Sequence, residues 1–319
     1  MLNKILAPLD GSTFAECAVP HLLAIAQVYS ASVTLLRVLE PSRTEGVQYT
    51  DPLGWQISRT EAELYLDNLV ASVQHAGLQA QKVLLEGSAA ERIIEYAQTN
   101  EIDVVCLTDH GQGGLDPWGI SSTTHKIIYS APTSLMLIRA TESVEDHVPS
   151  GHYQQILVPL DGSLRAESVL PIVISLASYH NSKIHLAHSV SSPEMARRTP
   201  PTPEEADLAT QVVERNREEA AHYLEQIRSR LLAQNLEIEI HLVVAETNAS
   251  ALHDLAEQLG IDLVVINAHG YTGHAHFPYG SMVENLISYG KTSLLILQDF
   301  PNKGQPMQSE VAVRETPGH

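Results

Sequence analysis

Cysteine, aromatic residues, basic side chains and long apolar runs are all scarce in this chain, and the scarcity excludes several classes of protein. Cys17 and Cys106 are the only cysteines in 319 residues, too few for a disulfide framework, and their apolar neighbours mark them as buried thiols. Nineteen Lys and Arg stand against 38 Asp and Glu, a formal charge of −19. Residues 1–147 carry −10 and the rest −9, so the acidity is evenly shared. Affinity for phosphate backbones and acidic lipid rests on Lys and Arg, so neither nucleic acid nor a membrane is an expected partner. The longest mainly apolar stretch, Val169 to Ala177, is nine residues and contains Pro171 and Ser175. A bilayer needs roughly 20. Met1 to Leu9 meets Asp10 before a secretory leader could form, so the expected compartment is the cytoplasm and the sequon Asn248-Ala249-Ser250 carries no meaning. What remains is an ordinary globular composition, 44% hydrophobic, 18% charged and 5% aromatic. The length suits two domains of about 150 residues each.

The second half copies the first. Lys4-Ile5-Leu6-Ala7-Pro8-Leu9-Asp10-Gly11-Ser12 returns as Gln155-Ile156-Leu157-Val158-Pro159-Leu160-Asp161-Gly162-Ser163, at an offset of 151. Asp109-His110-Gly111 returns as Ala268-His269-Gly270 at an offset of 159, so the second copy holds eight extra residues between these points. Short apolar runs predict strands near 5–8, 33–38, 82–85, 104–107 and 134–138, and again near 155–158, 183–188, 237–244, 263–266 and 293–297. Helical patterns separate them. Ser12 is placed to cap one helix, and Ser88 with Glu91 has the spacing of a capping box before another. Fully apolar strands alternating with helices predict an α/β fold, a parallel sheet covered on both faces. The expected division is a first domain over 1–140, a linker over 141–152, a second domain over 153–300 and a disordered tail over 301–319. Residues 41–57 and 193–203 lack periodicity and predict flaps over the strand carboxyl ends. The last strands, Ser134 to Ile138 and Ser293 to Leu297, are too apolar to stand as open edges, so the two domains are expected to pack through them.

Doubly wound sheets bind ligands outside the carboxyl ends of their strands. At the first strand end, Asp10 and Asp161 each sit in a Pro-Leu-Asp-Gly-Ser turn. Such an Asp either accepts hydrogen bonds from a ribose or closes the turn through its own backbone. After the fourth strand, Asn267-Ala268-His269-Gly270 is followed by nine residues and then by Gly280-Ser281 opening a helix. Glycines let amides approach an anion, and a helix N-terminus adds free N–H groups, so this loop reads as a phosphate cradle.

Together the Pro-x-Asp-Gly-Ser turn and the His-Gly-x9-Gly-Ser loop, in this βα order, resemble the universal stress protein family (UspA-like) in its tandem two-domain form. The resemblance runs from Asn3 to Gln298. It implies two Rossmann-like domains of the adenine nucleotide alpha hydrolase-like type, each a five-stranded parallel sheet with helices on both faces. It further implies a stress-response module binding ATP or a related adenine nucleotide, with or without Mg. The intramolecular partner is a pseudo-dimer of the two domains, and a homodimer of the chain is compatible with it. The implied nucleotide residues are Pro159, Asp161, Gly162, Ser163, Ser189, Asn267, His269, Gly270, Gly280 and Ser281. A weaker first site would use Asp10, Val38, Thr108, Gly111, Ser121 and Ser122.

Departures from the family's Gly-x2-Gly-x9-Gly pattern are uneven. The second copy replaces only the first glycine, by Asn267, a residue that tolerates left-handed backbone. The first copy has Thr108 and Ser121 in place of two glycines, and Asp116 sets a negative charge in its loop. Binding is therefore expected at the second copy. His274 and His276 suit phosphate or solvent better than a metal, His185 and His188 read as packed strand residues, and no metal is expected. Arg197-Arg198 could reach a phosphate, and Tyr49, Trp55 or Trp118 could stack on an adenine. No nucleophile has an assigned base, so nothing beyond slow ATP hydrolysis is expected. Two rivals stand beside this reading: an interaction scaffold with empty pockets, and a weak nucleotidase.

Overall fold

A computed structural model describes residues 2–40, 52–111, 119–140, 151–191, 202–245, 248–271 and 278–298. The first copy supplies β1 (Lys4–Pro8), α1 (Thr13–Glu16), α2 (Ala18–Tyr29), β2 (Ser32–Leu39), α3 (Pro52–His75), β3 (Ala80–Glu86), α4 (Ala89–Thr99), β4 (Val104–Thr108), α5 (Ser122–Ser130) and β5 (Ser134–Ile138). The second repeats the order as β6 (Gln155–Pro159), α6 (Leu164–Glu167), α7 (Leu170–His180), β7 (Lys183–Ser191), α8 (Pro203–Leu232), β8 (Glu237–Ala245), α9 (Asn248–Leu259), β9 (Leu263–Asn267), α10 (Ser281–Tyr289) and β10 (Ser293–Leu297).

The strands form one sheet in the order β3-β2-β1-β4-β5-β10-β9-β6-β7-β8. Each half is parallel throughout, as the apolar strands demand. The halves meet antiparallel, with Leu294 opposite Leu137, Leu295 opposite Met136 and Ile296 opposite Leu135. All five residues of each of the four central strands β4, β5, β9 and β10 are buried, because helices cover both faces. One core lies under α2, α3, α7 and α8, and the other under α4, α5, α9 and α10. Each fully buried Leu, Ile or Val contributes about 1.5–3 kcal/mol of transfer free energy, so these layers dominate stability.

Polar contacts cross the junction on both faces. On one, Tyr29 Oη donates to Ile172 O (3.2 Å) and His180 Nε2 to Ala24 O (3.1 Å), while Tyr153 Oη lies 2.9 Å from His21 Nδ1. On the other, Tyr279 Oη donates to Ile128 O (2.9 Å), and Arg139 Nη2 donates to Leu286 O (2.8 Å) and Ile287 O (2.6 Å). Ile128 O and Ile287 O are orphan carbonyls of α5 and α10, which no residue of their own helix satisfies, whereas Leu286 O also accepts the Gly290 N–H at 3.0 Å.

Three expectations change. Residues 52–57, read as part of a flap, form the first turns of α3, and residues 202–203 of the second flap open α8. There Thr202 and Glu205 form a capping box, so the segment begins a helix instead of a loop. The capping box expected at Ser88 and Glu91 is not made: Ser88 makes no side-chain cap, and Glu40 Oε1 instead accepts the Ala89 N–H at 2.6 Å. Residues 41–51, 192–201, 141–150 and the tail 301–319 lie outside the described residues.

Candidate functional site

The parallel order places the ends of β6 and β9 side by side, so the two motifs of the second copy meet. Gly162 has φ +83, the left-handed conformation that a Gly in this turn supplies without strain. The chain then bends back so that Asp161 Oδ1 accepts from Ser163 N (3.0 Å) and Ser163 Oγ (2.6 Å). Ser163 Oγ in turn accepts from Ala166 N at 3.1 Å and caps α6. The other oxygen, Oδ2, accepts from Tyr271 N at 2.6 Å. Gly270 lies directly beneath that carboxylate, and a Cβ there would collide with Asp161 Oδ2. Asp161 thus ties the end of β6 to the loop after β9, and the glycine of the His-Gly pair is fixed by that contact. Asp10 and Gly111 repeat the arrangement: Oδ1 accepts from Ser12 N (2.9 Å) and Ser12 Oγ (2.6 Å), and a Cβ at Gly111 would strike Oδ2.

Asn267 is buried, 4% exposed, at the end of β9. Its Oδ1 accepts from His269 N (2.9 Å), and its Nδ2 donates to Ser168 Oγ (2.9 Å) between α6 and α7. Asn267 is not among the residues with positive φ, so it stands there for these two bonds and not for left-handed backbone. Thr108, its counterpart, donates from Oγ1 to His110 O at 2.6 Å. Pro159 ends β6, and Ser189 and Val38 lie half-buried near the ends of β7 and β2.

The copies differ most at the helix that follows the loop. Gly280 is the N-cap of α10, with φ −74, and it makes no side-chain cap. Its N–H donates to Ala268 O at 2.8 Å, and Ser281 opens the helix exposed to solvent. A Cβ at Gly280 would meet only ordinary contacts, 3.7 Å or longer, so the fold itself does not require glycine here. Ser121, the N-cap of α5 ahead of Ser122, accepts from Thr124 N at 3.2 Å and donates to Thr124 Oγ1 at 3.0 Å. The helix of the first copy is closed by its own side chain, and that of the second has no side-chain cap among the described residues.

A second difference lies over the Asp-Gly-Ser turn. Above Gly162 no heavy atom of the described residues lies within 4 Å of an added Cβ, whereas above Gly11 the Arg37 guanidinium is 3.0 Å away. Arg37 also stands 5.4 Å from the Tyr65 ring centroid. Its counterpart at the end of β7 is His188, whose pKa burial pushes below the ordinary value, partly offset by a hydrogen bond to the Leu160 backbone and by Asp161. Sequence reasoning missed Arg37, although a lone Arg inside an apolar strand run, one residue before Val38, was the available signal. It also missed Asp109, 6% exposed, whose Oδ1 accepts from Ala140 N (2.9 Å) and whose Oδ2 is 3.6 Å from Arg139 Nη1. Trp55 is half-buried in the first turn of α3. Tyr49, Asp116, Trp118, Arg197, Arg198, His274 and His276 lie outside the described residues.

The model of the Universal stress protein family matches twice, over residues 1–139 and 152–298. A universal stress protein of Methanocaldococcus jannaschii is 23% identical over 141 residues, covering 44% of this chain and 83% of its own. YxiE of Bacillus subtilis, also a universal stress protein, is 22% identical over 149 residues, 44% of this chain and 100% of its own. In three dimensions, a universal stress protein from Archaeoglobus fulgidus covers 93% of this chain and 97% of its own with a TM-score of 0.64 at 15% identity. Two family matches on a duplicated α/β chain leave one assignment: the protein belongs to the universal stress protein family, in its tandem form.

Proposed function

We propose that this protein is a nucleotide-responsive module that takes ATP, or a related adenine nucleotide, at the second copy. The observation that carries the reading is the contrast at the helix N-termini: α10 has no side-chain cap where α5 is closed by Ser121. Free N–H groups and the positive end of the helix dipole favour a phosphate there. The open space above Gly162 would leave room for the ribose, with Asp161 as its acceptor and Ser189 near the base. Gly270, Gly280 and Ser281 would line the phosphates. Nucleotide binding occurs within the family, since one solved universal stress protein is a complex with cAMP. In this reading the module acts in the cytoplasm in the stress response, with ATP hydrolysis slow or absent, and takes the nucleotide with or without Mg. The two copies act as a pseudo-dimer joined at β5 and β10.

A second reading applies to the first copy, where Arg37 covers the turn and Ser121 caps α5. That copy serves as a scaffold and takes no nucleotide. Mass spectrometry of the denatured, freshly purified protein tests the first reading, with a co-purified adenine nucleotide as the expected result. Calorimetry with ATP is expected to give one site per chain, lost in Gly280→Val and retained in Ser121→Val. Absence of any adenine nucleotide in both experiments would leave the scaffold reading for the whole chain.

A further inference from the structure

A second cluster lies toward the starts of β7 and β8, away from the strand carboxyl ends. The parallel register sets His185 beside Glu239 and Ala187 beside His241, so both histidines and the glutamate share one face. His185 Nδ1 is 2.8 Å from His241 Nε2, and Glu239 Oε1 is 4.0 Å from the same nitrogen. One ligand atom from each residue lies within 4.8 Å of the others, the one such group among the described residues. His185 is 2% exposed, while Glu239 faces solvent, so the cluster has a wall of protein and an open mouth.

We propose that His185, Glu239 and His241 bind one Zn²⁺ ion, with water as the fourth ligand. Two imidazoles and one carboxylate with an open position is a donor set that suits this ion. The outer partner is already built: Gln155 Oε1 lies 2.7 Å from His185 Nε2 and accepts its N–H, which directs the lone pair of Nδ1 toward His241. In the empty cluster that lone pair takes the hydrogen of His241 Nε2. With the ion in its place, His241 carries its hydrogen on Nδ1 and stays neutral. Zn–N bonds near 2.0–2.1 Å set two tetrahedral nitrogens roughly 3.3 Å apart, so the pair opens by about half an ångström. Lys183 Nζ, 2.7 Å from Glu239 Oε2 and 3.4 Å from Glu237 Oε1, occupies the far carboxylate oxygen and leaves Oε1 for the metal.

The first copy shows that the fold does not need these groups. At the register positions of His185 and Glu239 it has Thr34 and Gln81, joined by a neutral hydrogen bond from Gln81 Nε2 to Thr34 Oγ1 at 3.0 Å. Val83 stands where His241 would be.

The test uses the full chain, stripped with a chelator and titrated with Zn²⁺ by calorimetry, with Co²⁺ as a spectroscopic probe of four-coordination. One ion per chain is expected. Gln155→Leu should weaken binding about 10- to 100-fold, as loss of a ligand's outer partner does, and His241→Gln should weaken it further. Glu239→Gln, on an exposed side chain, should weaken it without disturbing the fold, and circular dichroism checks that. No saturable binding by the parent chain overturns the proposal. So does Zn²⁺ binding that survives unchanged in both His241→Gln and Glu239→Gln, which would assign the ion to other histidines.

Discussion

Replacing Arg139 by Met keeps most of the side chain's volume and removes its charge where β5 meets the other copy. The Arg139 side chain is 11% exposed and the Asp109 side chain 9%, so little water is available to replace either partner. Burial alone draws the Arg139 pKa down, and Asp109 pulls it back up. In Arg139→Met the Asp109 carboxylate keeps the Ala140 N–H, and its Nδ1 neighbour His110 at 2.9 Å, but loses its cation. The Ile287 carbonyl at the end of α10 loses its donor at the same stroke, and Leu286 O keeps only the Gly290 N–H. Breaking a buried ion pair from one side typically costs about 3–5 kcal/mol, because a charge is stranded. Removing both charges is far milder, so Arg139→Met with Asp109→Ala, the residue found at 268, should recover about 2 kcal/mol or more of that loss. Urea unfolding of the parent, both single variants and the double variant closes the cycle. A single Arg139→Met within about 0.5 kcal/mol of the parent, or a double variant no better than the single, would falsify the account.

Other outcomes follow from the same geometry. Asp161→Asn should keep its turn through Oδ1, weaken ATP binding by about 10- to 150-fold and discriminate less against dATP, since the amide withdraws an acceptor from the ribose diol and a hydrogen bond to a charged group is worth about 1.5–3 kcal/mol; unchanged binding with a lowered melting temperature would make Asp161 a turn residue only. Gly270→Ala should destabilise by about 1–3 kcal/mol because its Cβ meets Asp161, whereas Gly280→Ala should stay near the parent; equal losses in a thermal melt would contradict this. Leu137→Glu, opposite Leu294, should separate the halves or cause aggregation, and a compact particle in small-angle scattering would argue against it. With chelator present, stability should fall as pH drops from about 6.5 toward 4. Burial, chiefly, holds His185 down to about 4 and lowers His188, His180 and His241, so the unfolded chain takes up protons first. His185 alone sets an upper limit of about 3 kcal/mol, and a flat urea midpoint between pH 7 and 5 would refute the claim.

The strands were legible because burial on both faces leaves unbroken apolar runs, such as Ser293 to Leu297, that no amphipathic helix would carry. The Asp-Gly-Ser turns were legible too, since left-handed backbone calls for glycine. What the sequence hid were contacts between distant residues. Gly270 reads as room for a phosphate, yet its neighbour is the Asp161 carboxylate, 109 positions earlier. Ser88 has the right spacing to cap α4, but it makes no cap, and Glu40, 49 positions earlier, takes the first N–H of the helix at Ala89. Arg139 meets carbonyls 147 and 148 residues away, and His185 meets His241 across 56. No local pattern encodes such pairs, because they depend on sheet order and register.

The antiparallel meeting of β5 and β10 has a consequence for how two copies on one chain can diverge. In a homodimer with a twofold axis, every residue at the join faces the environment set by its own duplicate, so one substitution changes both sides at once. Here a single covalent chain holds the halves at a high effective concentration that dilution cannot lower. Each side is then free to answer the other with a different residue. Arg139 caps α10 while Tyr279 caps α5, and Tyr29 answers His180. Release from self-complementarity lets one half close its helix with Ser121 while the other leaves Gly280 open, with no loss to the sheet they share.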